Sequence, residues 1–356
     1  MISAPTVFVL GAGASCPYGY PSGRELRKEI CTHFYEDYPN YIKGNSRTQS
    51  SKTLELELNE ARNFTDRFDK SSTKSIDLFL ARNPEFEVFG KKAIIFRIFA
   101  AEKNSAFRER MGTEEKEKDW YSHIFDKLTD DIVKKSDYSS FCENNLSFIT
   151  FNYDRSFEHF LYESLINSFN NIPPEKIKEQ ISQLRIIHVF GQIAGLEWQD
   201  LDSKIEYRGN IKDIDELVNN LRIIYEENEN PELEEEQKLI SEAQNIFFLG
   251  FVYAKENLEL LNIPEILKPQ QQIRGTALGL TKKEIAGISS SITTSSTMHV
   301  TCDIKIHEAW DSLQLLRQYL YIKSRRPNFD PRWDYMGTHA LFYVYNRADG
   351  HTWQGI

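Results

Sequence analysis

Cysteine is scarce and scattered in this chain. Cys16, Cys31, Cys142 and Cys302 fall at spacings that make neither a zinc knuckle nor a secreted disulfide framework. Reduced, mostly buried thiols are the expectation. Long hydrophobic runs are missing as well, so no stretch has the length of a membrane span. The first apolar run is short, lacks a basic leader and carries glycines, and so reads as a core strand and not a signal peptide; cytoplasm is the expected compartment. Positive charge is in deficit: 43 Lys and Arg against 53 Asp and Glu leave a net charge of -10. That balance argues against a broad nucleic-acid surface, and Lys323-Ser324-Arg325-Arg326 reads as a small local patch or as solvated charge. Neither phosphate-binding signature is complete. Gly11-x-Gly13 is followed by Ser15 and Cys16 where GxGxxG would continue, and no Walker lysine follows.

What is present is an α/β pattern in 356 residues, enough chain for a sizeable core. Val7-Phe8-Val9-Leu10 is a buried-strand run that enters the small-residue turn Gly11-Ala12-Gly13-Ala14-Ser15. Gly11 and Gly13 remove side chains that would keep a phosphate from the following N–H groups, and Ser15 can donate a hydroxyl or cap the next helix. Pro21 and Gly23 keep the loop irregular before Arg24–Ile30 turns helical. Two readings of this opening stand: a nucleotide site, or a tight strand-to-helix turn.

Residues 38–138 read as a helical insertion between parallel strands, with helices near Ser51–Leu58, Lys91–Glu102 and Trp120–Val133. Leu146–Phe151 is strand-like and Arg155–Phe169 fits the crossover helix after it. Leu184–Ile187 is a short strand that delivers His188, and Ile246–Leu249 repeats the strand-then-glycine design at Gly250. Residues 206–245 read as charged and largely helical, with Glu227–Asn230 as solvated surface; Ala286–Thr297 reads as a loop or helix start and Ile304–Tyr321 as a terminal helix. The division expected is a catalytic domain over 1–265 and a helical, aromatic extension over 266–356. Trp333, Tyr335, Phe342, Tyr343, Tyr345 and Trp353 in that tail suit either an interface or internal packing.

Three strand ends thus carry polar clusters that can share one crevice. Asn152 donates and accepts in fixed directions without charge, which suits a ribose hydroxyl or a water beside an anomeric carbon; a turn or cap is its plainer role. His188 changes protonation near neutral pH and can take a proton from water or a ribose hydroxyl, or stand as a structural imidazole. Asp154 either stabilises a developing sugar cation or caps the helix starting at Arg155. The pair Asn152 and His188 favours proton transfer over redox chemistry. Nicotinamide leaves a glycosidic bond neutral, from a positively charged ring, so such a cleavage requires placement more than it requires a metal.

As a set, these motifs resemble the SIR2-like, sirtuin-related proteins of bacterial antiphage defence. Gly11-Ala12-Gly13-Ala14-Ser15 with Gly19-Tyr20-Pro21-Ser22-Gly23 is similar to that family's NAD-binding opening, and Ser75-Ile76-Asp77 to the segment leading into its insertion. Phe148–Asp154 and His188-Val189-Phe190-Gly191 resemble its two catalytic motifs, and Phe248-Leu249-Gly250-Phe251 with Glu256-Asn257-Leu258 its late nucleotide segment. The likeness spans roughly residues 5–265. It implies a Rossmann-like, sirtuin-like parallel sheet and an NAD glycohydrolase that releases nicotinamide and ADP-ribose, with Asn152, His188 and Asp154 as catalytic candidates. It implies Gly11, Ala12, Gly13, Ser15, Pro21, Asp77, Gly250, Phe251 and Asn257 around NAD, which is substrate, with no metal. The paired Cys-x-x-Cys zinc module of true deacylases is absent, which disfavours deacylation. By the same resemblance, activity drains cellular NAD in abortive infection once a partner or signal acts. The partner expected is a helicase-like ATPase, an Argonaute-like protein, a nucleotide-processing subunit or a second copy of the chain, with no nucleic acid bound directly and no membrane. A non-catalytic NAD or ADP-ribose sensor, and an NAD-dependent deacylase or ADP-ribosyltransferase, are the alternative functions.

Overall fold

Six short strands carry the architecture of the computed structural model, which describes residues 2–45, 51–107, 112, 116–132, 135–169, 172–199, 201–224, 231–295 and 299–320. They are β1 (Thr6–Leu10), β2 (Leu146–Thr150), β3 (Arg185–His188), β4 (Asn245–Leu249), β5 (Gln272–Thr276) and β6 (Asp303–His307). All neighbours pair in parallel, in the order β3-β2-β1-β4-β5-β6. β1 is buried along its whole length because it lies at the centre with helices over both faces. Phe8 stands in register with Phe148 on one side and Phe247 on the other, with ring centroids 5.3 and 5.1 Å away. Those rings fix the alignment of the three central strand ends.

Between β1 and β2 every regular element among the described residues is helical, as the sequence suggests. Gly23–Glu29 runs through one π-helical turn, Ile30–Phe34, into Tyr35–Asn45; Ser51–Lys70, Ile76–Arg82, Glu87–Asn104 and Trp120–Thr129 follow. The insertion has its own aromatic core, with Phe34, Phe64, Phe68, Phe79 and Phe86 in mutual contact. Ser22, and not Ser15, caps the first helix. Its hydroxyl and the Glu25 carboxylate form a reciprocal capping box.

Arg155 ties three parts of the molecule together. Fully buried at the entrance to the helix Ser156–Ser168, it donates to both Glu102 oxygens at 2.9 and 2.8 Å and to the carbonyls of Gly195, Ile205 and Glu206. The insertion helix Glu87–Asn104 and the irregular strap after β3 are thereby fixed to the crossover helix. The strap differs from expectation: the described residues of 206–245 hold two helices, Ile214–Val218 and Pro231–Glu242.

The C-terminal part corrects the sequence reading more sharply. β5 and β6 extend the sheet beyond residue 265, so the described part of 266–356 is not a helical extension. Ile304 lies in the edge strand β6, and the terminal helix is the shorter Ser312–Tyr319, capped by Asp311 and Gln314. Lys282–Thr293 forms a full helix with a Thr281–Glu284 capping box. The basic cluster 323–326, the acidic run 227–230 and the six aromatic residues between 333 and 353 lie outside the described residues. No helix among the described residues is long and apolar enough to cross a membrane.

Candidate functional site

In this strand order the chain leaves β1 toward one side of the sheet and later returns to build the other side, so the connections diverge between the carboxyl ends of β1 and β4. A crevice for a ligand is expected at that switch point. The loops after β1, β2, β3 and β4 bring Gly11–Ser15, Asn152–Asp154, His188 and Gly250-Phe251 to this end of the sheet.

The glycine turn is closed on protein. Ala12–Ala14 form one 3-10 turn; the N–H groups of Gly11 and Gly13 donate to Leu249 O and Gly250 O, both at 3.0 Å, and those of Ala14 and Ser15 to Gly11 O and Ala12 O. Of the two readings of this opening, the bonding of these four amides is that of a tight strand-to-helix turn, braced against the β4 loop. The glycines are needed because the two backbones touch: a Cβ on Gly11 would lie 2.6 Å from Gly250 O and from Phe251 Cα, and one on Gly13 2.9 Å from Gly250 Cα. Gly250 itself has φ +55°. The carbonyl of Ala12 accepts from the Cys16 thiol at 3.4 Å, and the carbonyl of Ala14 accepts a bond from the Trp120 indole at 2.8 Å.

Asn152 is the best-placed polar side chain of the crevice. Its amide nitrogen donates to Gly11 O at 3.1 Å and to Ser15 Oγ at 3.0 Å, while Oδ1 is fully enclosed and has no partner. An enclosed acceptor left unmet costs roughly 1–3 kcal/mol, which a ligand donor would recover. Asp154 lies one residue before Arg155, the N-cap of the helix Ser156–Ser168, and is bonded to the first helical residue. One carboxylate oxygen accepts from the Ser156 N–H at 3.1 Å and from the Ser156 hydroxyl, and the Tyr121 hydroxyl lies 2.7 Å from that Ser156 oxygen. Burial raises its pKa against the opposing hydrogen bonds of Ser156 and Ser15.

His188 ends β3 opposite Thr150 of β2. Its Nδ1 lies 3.0 Å from the Asn152 carbonyl and its Nε2 2.6 Å from Glu158 Oε1. A carbonyl only accepts, so Nδ1 carries a hydrogen. Burial works against a charged ring, but the charge and hydrogen bond of Glu158, helped by the Asn152 carbonyl, outweigh it and raise the His188 pKa.

Glu158 was not legible as a site residue. It occupies the first turn of the crossover helix, where an acidic residue is ordinarily explained by the helix dipole, and only its near-complete burial beside apolar Phe157 sets it apart. Trp120, Tyr121 and Arg155 likewise reach the site or its frame from stretches that read as plain helix.

The remaining candidates are distributed around this centre. Asp77 accepts from the Tyr153 hydroxyl at 2.5 Å and from Ser75, and burial raises its pKa despite these bonds. It is thus joined to the β2 loop. Pro21 lines a cavity of about 460 Å3 with Cys16, Tyr20, Glu25 and Lys28. Phe251 is buried edge-on against Phe151, 5.0 Å between centroids, and so shapes the crevice floor. Asn257 is spent on its own loop, donating to Val252 O at 3.1 Å, and bonds to none of the other candidates. Among the described residues no group of three or more His, Cys, Asp or Glu is placed to hold a metal.

The fold and crevice together define a Rossmann-type α/β protein with an all-parallel sheet. No protein-family model matches the chain, and no curated protein matches it in sequence.

Proposed function

We propose that the chain is a SIR2-like NAD glycohydrolase that cleaves NAD to nicotinamide and ADP-ribose. The observation that carries the reading is the enclosed, partnerless Oδ1 of Asn152 at the switch point, one peptide carbonyl away from the His188 ring. A dinucleotide lying across the crevice would offer a ribose hydroxyl to that acceptor. Val252 and Leu278, exposed apolar residues just past the ends of β4 and β5, would then face its base. The bond between C1′ and the pyridinium nitrogen breaks with its electron pair going to nitrogen, so nicotinamide leaves neutral. Water adds to C1′ and releases one proton, which a neutral His188 accepts once its Nε2 has parted from Glu158. Asp154 acts from the frame, holding the helix start and Ser156. In the cytoplasm such turnover would deplete NAD during antiphage defence, with activation by a helicase-like, Argonaute-like or nucleotide-processing partner or by self-assembly.

A second reading, a ligand sensor without catalysis, is favoured by the fact that both His188 ring nitrogens are already engaged. A product-resolved NAD assay separates the two, run on the purified chain with and without co-expressed neighbouring proteins. Nicotinamide and ADP-ribose that vanish in Asn152→Ala and His188→Ala support the hydrolase. Saturable NAD binding without product in every preparation supports the sensor, and turnover that requires an acceptor and modifies it supports acyl or ADP-ribosyl transfer instead.

A further inference from the structure

We propose that Glu158 is the positioning residue for His188: its carboxylate clamps the imidazole against the Asn152 carbonyl and keeps both ring nitrogens protonated in the resting chain. The geometry leaves little freedom. With Nδ1 directed at a carbonyl, its hydrogen is fixed, so the only open question is the proton between Nε2 and Glu158, 2.6 Å apart. The two side chains are 10% and 4% exposed, so both partners are largely shielded from solvent.

The charges around the pair decide where that proton sits. Glu158 lies in the first turn of its helix, where the dipole favours an anion. Arg155, the nearest cation in sequence, is committed to Glu102 and three carbonyls and does not neutralise Glu158. Asp154, at the start of the same helix, adds a second acidic group facing the ring. From the strap, Arg222 donates to the His188 backbone carbonyl at 3.4 Å and so opposes, at longer range, the charge on the ring. Two acidic groups against one distant guanidinium favour imidazolium beside carboxylate.

This arrangement has a mechanical side too. Through the ring, Glu158 holds the Asn152 peptide, and with it the direction of the enclosed Oδ1. A charged ring has no lone pair to take a proton, so the pair must open or deprotonate before His188 serves as a base. That consequence rests on the hydrolase reading, whereas the ionisation of the ring does not.

The test is nitrogen-detected NMR of the full chain carrying 15N-labelled histidine, with His188→Ala identifying the resonance. At pH 7.5, about one unit above the ordinary imidazole value, the wild-type ring should show two protonated nitrogens. Glu158→Gln, which keeps shape and hydrogen-bonding capacity but removes the charge, should show a neutral ring protonated at Nδ1, and Glu158→Asp should restore the charged form. A neutral ring in the wild type, a measurement that requires no variant to fold, overturns the proposal; so does an imidazolium that persists in Glu158→Gln. In parallel, the acid limb of NAD turnover should move to lower pH in Glu158→Gln. Ring signals that behave as expected, with no NAD turnover either by the chain alone or in preparations with its co-expressed neighbouring proteins, would refute the hydrolase and leave the Glu158–His188 pair established.

Discussion

Gly250→Ala is the substitution that most directly tests how the crevice is built. Gly250 has φ +55°, which for a residue with a Cβ costs roughly 1–2 kcal/mol. The added carbon would lie 2.0 Å from Ala14 N, 2.2 Å from Gly13 C and 2.6 Å from Gly13 Cα, all backbone atoms that cannot swing aside as a side chain would. Relieving that overlap separates the loops after β1 and β4 and breaks the Gly13 N–H to Gly250 O bond, about 1 kcal/mol more, together with lost packing. A total of at least ~3 kcal/mol is expected. Gly279→Ala supplies the control, since it shares a positive φ of +82° but has open space around the added carbon, so only the backbone cost of ~1–2 kcal/mol remains. Gly23→Ala, at the start of a helix with nothing within 4 Å, should be neutral or stabilising by up to ~1 kcal/mol. Equilibrium urea unfolding followed by two probes gives all three values. If Gly250→Ala loses no more than Gly279→Ala, the close approach of the two loops is not what fixes that glycine.

Two further outcomes are expected. Because the folded pKa of His188 is raised above its ordinary 6.5, the stability from its pairing with Glu158 is fully present below pH 6.5 and is lost as pH rises through the folded value. The urea midpoint should therefore fall on going above pH 6.5 in the wild type and stay flatter in Glu158→Gln; equal slopes would contradict the pairing. Arg155→Met leaves Glu102 buried without its main countercharge and should cost about 3–5 kcal/mol, with part recovered in the Arg155→Met, Glu102→Gln double variant. Thermal melts of the three proteins check this, and a double variant no better than the single one would count against it.

Legibility of the fold followed how plainly each strand is buried. β1, β2 and β4 are runs of large apolar residues with both faces covered, and they were found within a residue or so of their ends. β5 hides because Arg274 and Gly275 interrupt it, yet Arg274 is buried by pairing with Asp303 and lying over Tyr319, a compensation that only the third dimension supplies. β6 alternates polar and apolar residues at the sheet edge, and its neighbour Ser312–Tyr319 extended the helical reading back across it. At the site, the strand ends were visible but the partners were not: Asn152 and His188 stood out as polar residues after apolar runs, whereas Glu158 matters through a contact 30 positions away. Gly11 and Gly13 are legible as small residues after an apolar strand, but the backbone of residues 250 and 251 that lies against them comes from a distant part of the chain.

The central place of β1 has a consequence for how the chain comes into being. Made before the other strands, β1 at first has neither lateral partner: Thr6 pairs with Leu146 and with Asn245. At ordinary rates of synthesis, β4 follows on the order of 10–50 s later. Meanwhile the helices made between residues 23 and 129 can gather their own aromatic core, while Phe8 waits for Phe148 and Phe247. The turn at Gly11–Ser15 cannot close before Gly250 has been made, so an unfinished chain lacks its crevice. Under the proposed hydrolase reading, the topology itself would delay consumption of NAD in the translating cell until Gly250 has been made.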